Sequence, residues 1–358
     1  MFVFVGTYTH RGSDGIYVFH MDTATGALDP VGHTVGVVQP SFLALHPDRP
    51  LLYAANELPE AAGDRGGKAS SFAFDPHNGA LTALNEQPTH GGLPCHLTVA
   101  AQGCLLLVAN YADGKITVLS ILGDGSLGEA VQVIQHRGAG LRTDRQAGPH
   151  AHSITLDPSG QYALAADLGT DQVLVYRVAA EEGCLEAHDP PFACVPPGSG
   201  PRHLDFHPAG RFVYVINELG STITGFHWDS DAGRLDPLET VPTLPADFTG
   251  DNTCADIHVH PSGRFLYGSN RGHDSLVIYA VDIDTGILEF AGHEPTRGRN
   301  PRNFGIDPTG TFLLAANQDT DSVVAFRIDE ASGLLEATGY TASVSLPVCV
   351  KFLAAEGV

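Results

Sequence analysis

Apolar residues along this chain fall into short alternating runs, broken by turns at nearly regular intervals. In "GPRHLDFHPAGRFVYVINEL" (200–219) one run precedes the turn "HPAG" and a second ends at Asn217. The layout recurs in "QPSFLALHPDRPLLYAANE", "LPCHLTVAAQGCLLLVANY", "AHSITLDPSGQYALAADL", "CADIHVHPSGRFLYGSNR" and "NPRNFGIDPTGTFLLAANQ". A third run follows, as in "SLVIYAVD" and "SVVAFRID", then a turn of Gly, any residue and Leu, then a ragged fourth run. No segment keeps the apolar period of about 3.6 residues that a helix needs, whereas alternation with β-branched and aromatic residues predicts strands.

The Gly-x-Leu turn begins at Gly26, Gly79, Gly125, Gly183, Gly233, Gly286 and Gly333, at intervals of 53, 46, 58, 50, 53 and 47 residues. Four antiparallel strands in about 50 residues, repeated seven times, predict an all-β, seven-bladed β-propeller occupying 1–358 as a single domain. The C-terminal "LPVCVKFL" reads as a first strand without its unit and the N-terminal "FVFVGTYT" as a second strand without its first. Together they would complete one blade and leave no free sheet edge.

Composition narrows the partners. The chain is 43% hydrophobic and 17% charged, with 41 glycines and 24 prolines to serve many tight turns. A net charge of -22 argues against nucleic acid or an anionic membrane surface as a partner. An anionic ligand would need a local basic pocket. The six cysteines form no CxxC pair, the N-terminus reads as a strand, and no apolar run is long enough to span a bilayer. These features predict a cytoplasmic protein with free thiols. The sequence carries no signal of oligomeric state.

Meander topology puts the start of each first strand and the end of each second strand at one face, beside the central channel. The entry residues are Ser41, Cys95, His152, Arg202, Ala255 and Arg302, followed by Phe42, His96, Ser153, His203, Asp256 and Asn303. The second strands end at Asn56-Glu57, Asn110-Tyr111, Asp167-Leu168, Asn217-Glu218, Asn270-Arg271 and Asn317-Gln318. The repeated Asn/Asp reads mainly as an Asx-type turn cap. The residue after it varies between acid, base and aromatic, as a ligand-shaped mouth requires.

His152, Arg202, Glu218 and Arg271, from blades four, five and six, are the candidate catalytic set. Paired guanidinium forks suit a phosphate or carboxylate, and Glu218 or His152 could accept a proton from water. The competing reading is a structural ion-pair network between Arg202 and Glu218. Glu57, His96, Asn110, His203, Asn217, Asp256, Arg302, Asn303 and Gln318 line the same mouth as candidate substrate contacts. The alternating histidines of "PHAHS" and "IHVH" lack a third ligand at zinc spacing, and "DIDTG" falls on a hairpin turn instead of a calcium loop, so no metal or cofactor is expected. Three long loops break the repeat: "LPEAAGDRGGKA", "HRGAGLRTDRQAGP" and "PTLPADFTGDNT". The second carries Arg137, Arg142 and Arg145 to the mouth, either as a solvated loop or as a lid with a further basic contact.

With these motifs, and with "GTYT" at 6–9, "GPHAHS" at 148–153 and "HPSGRFLYGSNRGHDSL" at 260–276, the whole chain resembles the seven-bladed propeller lactonases. These are the 6-phosphogluconolactonase family of the cycloisomerase-2 type. In a related fungal carboxymuconate-lactonizing enzyme a His, two Arg and a Glu are the proposed active site, and they match His152, Arg202, Glu218 and Arg271 by position. The resemblance implies hydrolysis of a small anionic sugar lactone without an essential metal. A muconate-type cycloisomerase, a hydrolase of unphosphorylated lactones and a non-catalytic binding propeller are the alternatives.

Overall fold

A computed structural model describes residues 1–59 and 66–353; positions 60–65 of the expected loop "LPEAAGDRGGKA" lie outside the described residues. Seven four-stranded antiparallel sheets form the molecule. Six are continuous in sequence: blade two (40–88), three (94–135), four (151–194), five (201–242), six (253–295) and seven (301–343). Blade one takes its first strand, Pro347–Leu353, from the C-terminal end and the other three from the N-terminal end. Phe2–Thr7 pairs antiparallel with that strand, from Phe2 opposite Leu353 to Thr7 opposite Pro347. The first strands touch one another round the ring, and Pro347–Leu353 touches those of both blade seven and blade two. The expected shared blade is therefore the closure.

The repeated turn residues are explained by contacts between blades. In blades two, five and six a second-strand tyrosine donates its hydroxyl to the carbonyl of the next blade's Gly-x-Leu glycine: Tyr53 to Gly125 at 3.2 Å, Tyr214 to Gly286 at 2.8 Å and Tyr267 to Gly333 at 2.7 Å. At the "HP" turns, His46, His207 and His260 donate from Nε2 to the carbonyls of Gly103, Gly263 and Gly310 in the following blade. "DIDTG" is turn chemistry: Asp282 accepts from the backbone N–H groups of Asp284 and Thr285. Among the described residues no helix is long and apolar enough to cross a membrane.

Gly286 has a positive φ of 75°, and a Cβ there would sit 2.5 Å from the Phe212 ring. Gly183 has a φ of 67° in the equivalent turn, but its Cβ would meet nothing nearer than Leu105 at 4.0 Å. Gly183→Ala should therefore cost about 1 kcal/mol, from the left-handed backbone alone. Gly286→Ala should cost about 3 kcal/mol, because overpacking adds to the same strain. Urea unfolding of the two variants side by side measures the difference.

Candidate active site

Every blade carries one extra residue where its first strand enters. In blade five Pro201 pairs with Asn217 and His203 with Ile216, leaving Arg202 without an opposite number. The same bulge isolates Ser41, Cys95, His152 and Arg302 in blades two, three, four and seven. It isolates Val348 in blade one, and in blade six Ala255 and Asp256 share one partner position. A bulge breaks strict alternation and re-aims a side chain, here at the rim of the channel. Proline at the strand start, as at Pro40, Pro94, Pro201 and Pro301, suits a position that need not donate to the ladder.

The four candidate catalytic residues meet at one carboxylate. Glu218 Oε2 accepts from Arg202 Nε at 3.0 Å and Arg271 Nη2 at 2.8 Å, and His152 Nε2 lies 3.8 Å from the same oxygen. Glu218 Oε1 accepts from Arg145 Nη2 at 2.7 Å. Arg145 comes from the loop between blades three and four and also donates to the Tyr111 hydroxyl at 3.2 Å. Its loop is pinned by Gln146, whose amide donates to Leu168 O and Asp171 Oδ1. Of the two readings of this loop, the structure has the further basic contact. His152, Arg202 and Glu218 are only 4, 2 and 5% exposed, so the cluster is nearly closed.

Burial alone would raise the Glu218 carboxyl, but Arg271, Arg202 and Arg145 outweigh it and hold it at about 2. A carboxylate that weakly basic, with both oxygens occupied, makes a poor proton acceptor. Burial, then Arg202, push His152 well below the ordinary histidine value, so it is neutral at pH 7. Its Nδ1 lies 3.6 Å from Cys95 Sγ. Burial pushes the Cys95 thiol up, so it stays protonated and is not a nucleophile.

A second layer supports the first. His203 Nδ1 donates to Asp256 Oδ1 at 2.7 Å, which leaves Nε2 to accept from Arg202 Nη1 at 3.1 Å. Burial, then Arg202, push His203 down to about 4, so this tautomer holds at neutral pH. Asp256 also accepts from Asn303 Nδ2 and from His258 Nε2. His96 packs its ring on Phe42 and His203. Beneath this layer lies a cavity of about 250 Å³, lined in part by Thr155, Asp205, His258 and Lys351.

The remaining candidates divide. Glu57 accepts from the Tyr8 hydroxyl at 2.8 Å, and the Arg302 guanidinium stands 5.5 Å from the Tyr8 ring centre. Gln318 is half-buried and donates to Asp319 at 3.1 Å. Asn110 and Asn217 are fully buried and tied within their own blades, to Lys115 and Thr117 and to Thr222 and Thr224. These two clamp the third strand instead of facing the mouth. Of the six second-strand ends, Asp167 caps as an Asx turn, accepting from the N–H groups of Gly169 and Thr170, whereas the asparagines use their Nδ2 groups as clamps. His150 stacks on Tyr111, apart from its neighbour's role. Tyr111 and Arg145 were not singled out as contacts by their place in the repeat. Tyr111 was visible only as the aromatic member of the variable ring, and Arg145 as one of three arginines on a loop expected at the mouth, with nothing to single it out from Arg137 and Arg142.

The folded Glu218 carboxyl lies near 2 against an ordinary 4.5, a difference of about 3 kcal/mol in favour of the fold. That stabilisation is complete above pH 4.5 and fades as pH falls toward 2. Glu218→Gln should be less stable than wild type by about 3 kcal/mol at pH 7, since it also leaves buried guanidiniums unpaired. The gap should close on acidification below pH 4.5. Urea unfolding at a series of pH values tests both parts.

Residues 2–352 match the family described as lactonase, 7-bladed β-propeller. The chain is 38% identical to the 6-phosphogluconolactonase of Bacillus subtilis, over 98% of this chain and 97% of the relative. It is 34% identical to the 6-phosphogluconolactonase of Formosa agariphila, over 85 and 86%. The solved structure of a periplasmic gluconolactonase from Pseudomonas aeruginosa superposes with a TM-score of 0.93 at 38% identity, covering 99% of each chain. On fold, ring closure and sequence together, this chain belongs to the seven-bladed β-propeller lactonases.

Proposed function

We propose that this protein hydrolyses 6-phospho-D-glucono-1,5-lactone to the open-chain acid, with His152 as the base. The observation that carries the reading is a neutral, buried imidazole beside one buried and one largely buried guanidinium on one carboxylate. His152 Nε2 and Glu218 Oε2 stand 3.8 Å apart, a gap that one water can bridge. Water gives a proton to His152 as its oxygen adds to the lactone carbonyl. The carbonyl oxygen becomes an oxyanion, which Arg202 and Arg271 stabilise from fixed positions. On collapse the ring C–O bond breaks, and His152 returns the proton to the departing ring oxygen. Glu218 takes no proton; it holds the guanidiniums in place. Arg145 is the partner that reaches in from the surface, so its displacement admits the substrate.

A weak base is enough for this substrate. Delta-lactones open readily in water, and each 1.36 kcal/mol removed from the barrier gives about a tenfold rate. The gluconolactonase relative favours a second reading, in which the lactone carries no phosphate. We place the enzyme in the cytoplasm, because all six cysteines are unpaired, as a reducing compartment permits.

The test is disappearance of phosphogluconolactone at controlled pH, corrected for spontaneous opening, beside gluconolactone. His152→Ala should lower kcat by about 10²-fold or more while far-UV spectra stay unchanged. Wild-type kcat/KM should hold steady as pH falls through 6.5 and drop only in more acid solution, since His152 must lose its lone pair to lose activity. A rate unaffected by His152→Ala would remove the assignment.

A further inference from the structure

Arg302 is the cation of this mouth that forms no ion pair, although the charges of Tyr8, Glu57 and Glu218 reach its guanidinium and hold it up against burial. Arg145, Arg202 and Arg271 all hold Glu218 within 3.0 Å. Among the described residues Arg302 makes no ion pair and no hydrogen bond, and its one close partner is the Tyr8 ring. Tyr8 is fixed from behind by its hydrogen bond to Glu57. A half-buried guanidinium stacked on an anchored ring is held in place with its whole fork of donors unused. Two further donors among the mouth residues are also without acceptors: Arg271 Nε in blade six and Ser41 Oγ in the equivalent bulge of blade two, both buried.

The proposed substrate has two ends with different needs. Its carbonyl needs donors beside the base, and Arg202 and Arg271 share an oxygen of Glu218 with His152. Its phosphate needs a fork whose donors are not already taken, because paired charge-assisted hydrogen bonds are the strongest the site can offer. Resting on the lactonase reading above, we propose that Arg302, backed by Tyr8, is the phosphate subsite and sets the preference for phosphorylated over unphosphorylated sugar lactones. Arg145 is the rival, since it is the most exposed of the three arginines on Glu218.

The experiment compares kcat/KM for phosphogluconolactone and gluconolactone in the wild type, Arg302→Gln, Arg302→Lys and Arg145→Gln. The quantity read is the ratio of the two values, which cancels any drop common to both substrates. Arg302→Gln should lower that ratio by about 10- to 100-fold, as expected for loss of charge-assisted bonds. Arg302→Lys, which keeps the charge and loses the fork, should give an intermediate ratio; it carries the test if the Gln variant does not fold. Arg145→Gln should keep the wild-type ratio. A ratio unchanged in both Arg302 variants, a collapse confined to Arg145→Gln, or a wild type with no preference would each overturn the subsite. A wild type that turns over neither lactone overturns the lactonase reading itself, a result distinct from these.

Discussion

The carboxylate of Glu218 is where three separate stretches of chain converge. Arg145 arrives on a loop between blades three and four, Arg202 on the bulge of blade five and Arg271 from the end of blade six's second strand. Ions this buried are stable only with good geometry and satisfied neighbours. The ring supplies that geometry, because blades two, five and six are each latched to the next through its hairpin glycine and their own "HP" histidine. Tightening the circle therefore fixes the mouth. Pairing of Phe2–Thr7 with Pro347–Leu353 matters to the site for the same reason, although neither strand supplies a member of the Glu218 cluster.

The layer below turns that cluster from a salt bridge into an oriented one. Asp256 fixes the tautomer of His203, whose remaining lone pair accepts from Arg202. Arg202 Nη1 also donates to the carbonyl of Ala255, so its plane is held on more than one edge. Partners that lock first-contact side chains let donors meet developing charge without reorganising. His203 and Asp256 thus act on the Arg202 guanidinium from behind, a positioning task, where sequence alone placed them among substrate contacts.

What the sequence revealed follows from what repeats. The Gly-x-Leu and "HP" signals were legible because the same inter-blade contact recurs, and a recurring contact demands a recurring residue. His152, Arg202, Glu218 and Arg271 were legible because meander topology alone brings strand entry and strand exit to one face. The bulge was not, since it is a property of register between two strands and leaves no residue type of its own; Arg202 and Ala255 occupy it equally. Asn110 and Asn217 sit one residue from the mouth, yet point their amides at threonines of the third strand. Direction at that resolution depends on side-chain packing. Arg145 lies outside the repeat, so no alignment of units could bring it to Glu218.

The charge of the whole molecule sets a last constraint on the proposed reaction. At -22, the protein repels anions at long range, and screening confines that field to roughly 10 Å at ordinary salt. An anionic lactone must therefore be captured locally, where four guanidiniums outnumber the carboxylates of Glu57 and Glu218. Hydrolysis then adds a carboxylate to the ligand, so the product is more anionic than the substrate. A mouth of unpaired arginines would hold that product more tightly than it held the lactone. Glu218 counters this, because it already occupies three of the four cations and competes with the new carboxylate for them. The same residue that assembles the site thereby lets it empty.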